Sequence, residues 1–373
     1  MTAIDHAARR DRLAAALAAA GTAALLVTRA EHVRWLTGFT GSNAALLLDA
    51  SGAAAIATDS RYTTQVADQA PGLRCVTARD CPPALLADYR DGSAWPGRAG
   101  DPGGPARVGF EADWLSFAAA GALREAAAGL GLEPTRGLVE DLRLVKEPAE
   151  LDLLRRAAAV AVGAYRDLLA AGGIAAGRTE REVAADLEHR MRLRGADRPS
   201  FDTIVASGPN SALPHHGAAD RVLARGDLVT IDFGALVDGY CSDMTRTTVV
   251  GGAEAADDFA REIHSVVLRA QLAGLAAARP GTGLREVDAA CREVIAAAGW
   301  GEYFVHSTGH GIGVDVHEPP FAATRGRGAL AEGMTLTIEP GVYVPGRGGV
   351  RIEDTVIITS GESENLVDLP KTL

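Results

Sequence analysis

Aromatic residues and cysteines are both scarce in this chain of 373 residues. Aromatic residues make up only 5% of the chain and hydrophobic residues 47%, so we expect cores built mainly from alanine, leucine and valine. Cys75, Cys81, Cys241 and Cys291 do not have the spacing of a disulfide framework or of a thiolate zinc site. We therefore expect reduced thiols and a cytoplasmic protein.

Positive charge and long apolar runs are also lacking. The formal net charge is −11, which argues against nucleic acid or an anionic membrane surface as a partner. No apolar run reaches the ~18 residues that a membrane-spanning helix needs, and the first residues lack the charged-then-apolar pattern of a signal peptide. We expect neither a nucleic-acid partner nor a membrane association.

The length of the chain suggests two domains. In the first part, the pattern predicts helices at 7–20, 58–70 and 114–130, and strands at 23–28, 44–49, 53–58 and 108–111. The Gly/Pro-rich stretch Asp91–Arg107 is interpreted as a surface loop, and a long helix is predicted at Pro148–Ala171. We place an N-terminal mixed α/β domain at 1–140 and a catalytic domain at 141–373.

Two stretches of nearly the same sequence each deliver a carboxylate. Leu223–Gly234 contains Asp232 in the sequence LVTIDFG, and Leu330–Gly341 contains Glu339 in the sequence LTIEPG. Upstream of them, the segments GRTEREV and GTGLREV also correspond. This internal repeat of roughly a hundred residues predicts two similar half-domains, related by a pseudo-twofold axis, that each bring an acid to a shared centre.

Each repeat adds a second acid through a hairpin. In the first, Asp238-Gly239 is a strong two-residue turn signal, and the resulting register puts Asp232 opposite Thr245. Asp243 then lies diagonally from Asp232, at roughly 7–8 Å between such Cβ atoms. In the second, a turn near Gly346 would bring Glu339 and Glu353 face to face.

Four acids in apolar strands indicate a metal site. A charge in a buried strand is costly unless it is paired or bound to a metal. His310 offers a nitrogen ligand between two glycines, which allow close backbone approach. Four carboxylates and one imidazole suit manganese, cobalt, zinc or iron. They are too many for one open catalytic ion and about right for two ions some 3.5–4 Å apart, which predicts hydrolysis of an amide or ester.

At this point the chain resembles a known family. The C-terminal part is similar to the metal-dependent peptidases with the "pita-bread" fold of methionine aminopeptidase, and most similar to their proline-directed branch, Xaa-Pro aminopeptidase and Xaa-Pro dipeptidase (prolidase). The motifs that carry the resemblance are Pro209–His215, Ile231–Gly234, Ser242–Thr247, His306–His317, Thr337–Gly341 and Val350–Asp354. Trp35–Asn43 and Asp59–Tyr62 look like the creatinase-type N-terminal domain of this family.

The resemblance implies roles for individual residues. The metal ligands would be Asp232, Asp243, His310, Glu339 and Glu353, holding two divalent ions, with manganese first and cobalt, zinc or iron as alternatives. The substrate cleft would be lined by His215, His306 and His317, and Glu339 would also move the proton. Arg351 would orient a neighbour or meet the substrate, and Tyr343 would support the site. His216 departs from the commoner pattern, and its role is left open, since adjacent residues of a strand point to opposite faces.

We therefore expect a two-domain α+β or α/β enzyme that releases the N-terminal residue from peptides with proline in the second position. A homodimer is expected, because the N-terminal domain makes oligomer contacts in the family. The alternatives are an Xaa-Pro dipeptidase, a metal-free hydrolase that resembles creatinase, and a peptide-binding module without catalysis. The last two are disfavoured because all five ligand positions are filled.

Overall fold

The chain is described by a computed structural model over residues 4–96 and 106–373. It divides into two compact units, of which one ends at Leu142 and the other comprises Arg143–Leu373. The predicted loop Asp91–Arg107 lies partly outside the described residues. Within the described ranges, no helix has the length and apolar character to cross a membrane.

The N-terminal unit is a six-stranded mixed sheet with helices. Its elements are α1 (His6–Ala20), β1 (Ala24–Val27), α2 (Ala30–Thr37), β2 (Ala44–Asp49), β3 (Ala54–Thr58), α3 (Thr63–Gln69), β4 (Arg74–Thr77), α4 (Cys81–Asp91), β5 (Arg107–Glu111), α5 (Phe117–Ala126), β6 (Gly131–Thr135) and α6 (Leu138–Arg143). The strand order is β4-β3-β2-β1-β5-β6. The predicted first helix is confirmed, and it ends at Gly21 in a left-handed conformation.

Two helices of this unit are shorter than the sequence predicts. The helix predicted at 58–70 is observed only as α3, because the Asp59 carboxylate accepts a hydrogen bond from the Arg61 backbone N–H at 3.0 Å and holds a turn there. The helix predicted at 114–130 is observed only as α5, which begins after its N-cap Ser116. In both cases a short polar side chain competes with the helical backbone bonds.

The C-terminal unit alternates helices with short antiparallel strands. Its elements are α7 (Pro148–Ala170), α8 (Glu180–Leu193), β7 (Arg198–Pro199), β8 (Ile204–Ser207), β9 (Leu228–Phe233), β10 (Ala235–Val237), β11 (Tyr240–Cys241), β12 (Met244–Val249), α9 (Asp258–Ala277), α10 (Leu284–Ala297), β13 (Gly309–Gly311), β14 (Glu318–Ala322), β15 (Thr335–Ile338), β16 (Gly341–Val344), β17 (Gly348–Arg351), β18 (Asp354–Ile357) and β19 (Glu364–Asn365). The long helix α7 matches its prediction to within one residue.

The two helix pairs cover the strands that carry the site. Residues of α7 and α8 share one apolar cluster with β9, in which Tyr165 stacks on Phe233 at 5.1 Å between ring centroids. Residues of α9 and α10 share a second cluster with β15 to β18. Burial of these helix faces fixes the strands, and hence the acids on them, in place.

Equivalent backbone hydrogen bonds recur in the two halves of this unit. The Gly177 N–H donates to the Leu223 carbonyl at 3.0 Å, and the Gly281 N–H donates to the Leu330 carbonyl at 2.8 Å. Both contacts tie the segment before a helix, α8 or α10, to the segment before an acid-bearing strand, β9 or β15. The matched sequences therefore occupy matched local positions.

Candidate metal centre and active site

The first two acids of the site lie on the hairpin formed by β9 to β12. Asp238 and Gly239 have positive φ angles of 49° and 80°, the backbone that a two-residue hairpin turn requires. Thr245 pairs with Asp232, so the predicted register is confirmed. Asp243 lies just before β12, where the strand pairing is briefly interrupted.

The second pair of acids lies where two short ladders meet. Ile338 of β15 pairs with Asp354 of β18, and β16 and β17 continue the same register toward a tip at Gly346. Glu339 and Glu353 are the next facing positions between these ladders. The predicted face-to-face arrangement is therefore confirmed.

Hydrogen bonds join the two hairpins at the acids. Thr245 Oγ1 donates to Glu353 Oε2 at 2.7 Å, and Thr355 Oγ1 donates to the Asp243 carbonyl at 2.8 Å. One potential ligand atom from each of Asp243, His310 and Glu353 lies within 4.8 Å of the others. Residues distant in sequence therefore converge on one point.

The ring of His310 is oriented by its glycine-framed strand. Its Nδ1–H donates to the Gly311 carbonyl at 3.0 Å, which leaves Nε2 free to face the acids, 3.3 Å from Glu339 Oε1. A Cβ at Gly309 would lie 1.7 Å from the Thr337 carbonyl oxygen, so this approach requires glycine. Burial lowers the pKa of His310, which favours the neutral form that binds metals.

Three buried carboxylate oxygens at this centre lack a hydrogen-bond partner among the described residues: Asp232 Oδ1, Asp243 Oδ1 and Glu353 Oε1. Burial, together with the charges of neighbouring acids, raises the pKa of Asp243 and of Glu353 well above the ordinary range. Burial also raises the pKa of Glu339, to about 8. Unpaired buried acids are costly, so this oxygen-rich set with one imidazole fits divalent cations.

Arg351 is buried and its guanidinium is held by protein groups. Its Nη2 donates to Asp232 Oδ2 at 2.7 Å. Its Nη1 donates to the Tyr343 hydroxyl at 2.8 Å, and its Nε donates to Thr245 Oγ1 at 3.1 Å. Of the two roles expected for Arg351, this geometry favours orientation of a neighbouring carboxylate.

His306 belongs to the same network. Its Nδ1–H donates to the Ser307 carbonyl at 2.8 Å, so its Nε2 accepts from the Tyr343 hydroxyl at 2.9 Å. Burial lowers the pKa of His306 to about 4, which keeps the ring neutral near pH 7. Because both ring nitrogens are engaged, His306 is better placed to orient Tyr343 than to bind a peptide.

A cavity of about 660 Å³ opens onto the acids. Eight of the nine residues expected to bind metal or substrate line it, namely His215, Asp232, Asp243, His306, His310, His317, Glu339 and Arg351. Glu353 is buried and does not line the cavity. The rings of His310 and His317 contact edge to face at 4.3 Å between centroids. The volume is within the range of sites that bind small ligands.

The structure places His216, whose role the sequence left open, beside His215 in the cavity wall. His215 and His216 lie in a loop after the 3₁₀ helix Gly208–Ala212, not on a strand, so they do not alternate between two faces. Both line the cavity. The His216 Nε2 lies 2.7 Å from Glu180 Oε2, a contact that the sequence analysis missed.

Comparisons with known proteins agree with this centre. Residues 152–360 match the model of metallopeptidase family M24, and residues 9–145 match the creatinase/prolidase N-terminal domain. The uncharacterized peptidase YqhT of Bacillus subtilis is 41% identical over 353 residues, which are 95% of this chain and 96% of that relative. The chain therefore belongs to metallopeptidase family M24.

Solved structures show the same architecture. The Xaa-Pro dipeptidase from Bacillus anthracis matches with a TM-score of 0.89 at 40% identity, covering 99% of both chains. The X-Pro aminopeptidase from Thermotoga maritima matches with a TM-score of 0.86 at 34% identity, covering 98% of both. The predicted two-domain fold and the prediction of a metallopeptidase are thus confirmed.

Proposed function

We propose that this chain is a metal-dependent exopeptidase that hydrolyses the bond between an N-terminal residue and a following proline. The observation that carries the proposal is the convergence of unpartnered, buried oxygens of Asp232, Asp243 and Glu353 on a cavity of peptide size. The Xaa-Pro specificity named for the solved relatives from B. anthracis and T. maritima supports proline as the second residue.

Five side chains would hold two divalent ions, with manganese favoured and cobalt, zinc or iron as alternatives: Asp232, Asp243, His310, Glu339 and Glu353. Asp243 and Glu353 would be shared between the ions. When bound, such ions lower the pKa of water and polarise the carbonyl of the scissile bond.

Side chains of the protein would carry out proton transfer and bind the substrate. The Glu339 carboxylate lines the cavity beside His310, where it would accept a proton from water and pass it to the leaving nitrogen. Arg351 Nη2 donates a 2.7 Å hydrogen bond to Asp232 Oδ2 and so fixes the orientation of this carboxylate. His215 and His317 line the cavity, where their rings would hydrogen-bond the peptide as its carbonyl carbon becomes tetrahedral.

The two candidate functions, Xaa-Pro aminopeptidase and Xaa-Pro dipeptidase, differ in the length of the substrate. A volume of about 660 Å³ accommodates ligands larger than a dipeptide, which favours an aminopeptidase that releases one residue from longer peptides. The 40% identity to a protein named Xaa-Pro dipeptidase favours the second candidate. The two activities differ only in whether the substrate continues beyond the proline.

Peptide hydrolysis with the manganese-loaded, cobalt-loaded and zinc-loaded chain tests both candidates. We expect cleavage of Ala-Pro-Ala with little cleavage of Ala-Ala-Ala, because proline has no N–H and its ring fixes φ, so the cleft must select it by shape. Cleavage of Ala-Pro alone would replace the aminopeptidase with the dipeptidase. Equal rates on Ala-Ala-Ala and Ala-Pro-Ala, or full activity on N-acetylated peptide, would contradict both.

The domain bounds, the cellular location and the oligomeric state are also proposals. We place the catalytic domain at 141–373 and the creatinase-type domain at 1–140, and we propose a cytoplasmic homodimer. The four free cysteines support a reducing compartment. Sedimentation of the purified chain would test the dimer, with a monomer at micromolar concentration as the contrary result.

A further inference from the structure

Glu180 is a buried acid on the first turn of α8 that the mechanism above does not use. Its side chain is fully buried. Its Oε1 accepts hydrogen bonds from the Ser207 backbone N–H at 2.7 Å, from Ser207 Oγ at 2.6 Å and from Asn210 Nδ2 at 3.0 Å. A buried carboxylate with so many donors is fixed in position.

The other oxygen of Glu180 faces the loop at the cavity. It lies 2.7 Å from His216 Nε2 and accepts from the Ala219 backbone N–H at 3.1 Å. The carboxylate thus binds both a ring and a backbone group of one loop. Because a carboxylate accepts, His216 carries its hydrogen on Nε2.

The second half of the unit indicates that the fold does not need an acid here. Glu180 follows Thr179, whose strand-like contact with Val222 has a counterpart in the contact of Gly283 with Ala329. The residue after Gly283 is Leu284, which is buried. An apolar side chain therefore serves this position where no loop has to be held.

The anchored loop reaches the active site at two points. His215, directly before His216, lines the cavity. The Pro214 carbonyl accepts a hydrogen bond from Arg351 Nη1 at 3.3 Å, and Arg351 in turn holds Asp232. A shift of this loop would move a cavity histidine and loosen the support of a candidate ligand.

We propose that Glu180 and His216 form a positioning pair, which fixes the loop Pro214–Gly217 so that His215 faces the substrate. The pair acts through His215 and does not itself react. The inference rests on the proposed peptidase function, because turnover is one of its readouts. A misplacement of about 1 Å costs on the order of 10²-fold in rate, which sets the size of the expected effect.

The test compares His216→Ala, His216→Gln and the control His189→Ala, with His189 exposed on the same helix as Glu180. We expect His216→Ala to keep its metal content and KM and to lose about 10²-fold in kcat. His216→Gln should recover most of kcat, because its amide can donate to Glu180. His189→Ala should match the wild type. Unchanged kcat, a raised KM alone or a loss of metal in His216→Ala would overturn the proposal.

Hydrogen exchange separates this proposal from the function on which it rests. The Ala219 amide donates directly to Glu180, so His216→Ala should speed exchange in residues 213–219, and His216→Gln should restore protection. Should the wild type cleave no Xaa-Pro peptide, the proposed function fails while this measurement still decides the pair. Equal protection of residues 213–219 in the wild type, His216→Ala and His216→Gln would overturn the proposed pair of Glu180 and His216.

Discussion

Glu353 and Asp354 are adjacent and both buried, yet their surroundings are opposite. Burial would raise the pKa of Asp354, but Arg246 and Lys371 outweigh it, and the pKa lies below the ordinary range. Arg246 Nη2 is 2.8 Å from Asp354 Oδ1. The Glu353 carboxylate accepts one hydrogen bond, from Thr245 Oγ1. Its other oxygen has no partner among the described residues, and its pKa is raised.

Glu318 is a second buried acid that, like Asp354, is compensated by cations of the protein. Glu318, next to cavity residue His317, contacts Arg143 and Lys146, which lower its pKa against the opposing effect of burial. At Asp354 and Glu318 the chain therefore supplies cations that compensate a buried acid. Among the described residues, the four acids of the metal centre share a single guanidinium, that of Arg351. The difference indicates that divalent cations supply the missing charge.

The largest effect should come from removing an acid of the centre. Glu353→Gln and Asp243→Ala should lose bound metal and lose activity by more than the roughly 10–100-fold typical of residues that only support a metal ligand. Because the lost acid also relieves repulsion, metal-free Glu353→Gln should be more stable than the metal-free wild type. Metal analysis, turnover and thermal melting measure this, and near-normal turnover would contradict it.

The cavity histidines should separate catalysis from metal binding. His215→Ala and His317→Ala should keep the metal content of the wild type and lower kcat by about 10²–10⁴-fold, the contribution of a positioned hydrogen bond or proton carrier. Turnover and metal analysis on the same samples provide the check. A loss of metal would make these histidines ligands and would contradict the role given to His310.

Asp354, which is paired with two cations, should respond to substitution in the opposite way to its neighbour Glu353. Asp354→Asn leaves Arg246 and Lys371 without their anion, and breaking a buried ion pair costs about 3–5 kcal/mol. Denaturant unfolding should show this loss, while the folded variant should still bind metal. Metal loss at full stability would show that the two neighbours share one role.

Smaller effects should appear in the pH dependence of the metal-free chain. The raised pKa of Glu339, about 8 against an ordinary 4.5, means that the folded state holds a proton that the unfolded state releases. Stability from this group is present below about 4.5 and is lost as the pH rises toward 8. Asp354, whose pKa is lowered, contributes stability that is lost only as the pH falls below its ordinary 3.8. Burial lowers the pKa of His306 and His310, so these neutral rings reduce stability only below their ordinary 6.5. Melting temperatures of chelator-treated protein that rise between pH 7 and 8 would contradict the effect of Glu339.

The sequence predicts the strand registers of the centre because local turn chemistry determines them. The turn at Asp238-Gly239 fixes Asp232 opposite Thr245, and the tip at Gly346 fixes Glu339 opposite Glu353. These positions depend on residues close in sequence and on the period of two along a strand. The acids could therefore be assigned before the structure was known.

Contacts between distant segments could not be predicted in this way. The partners of Arg351, the engaged ring of His306 and the contact of His216 with Glu180 depend on loops and helices whose paths no local pattern specifies. One signal was present in the sequence, since Glu180 and Leu284 differ between otherwise matched repeat segments. A difference at a matched position indicates a role that only one half performs.

The central claim is that divalent cations compensate the acids of the centre. It is tested most directly by titrating the chelator-treated chain with manganese in a calorimeter while turnover of Ala-Pro-Ala is followed. The account predicts close to two ions per subunit, release of protons on binding because the raised acids must deprotonate, and activity that rises with occupancy. Full activity at one ion or fewer per subunit would contradict it.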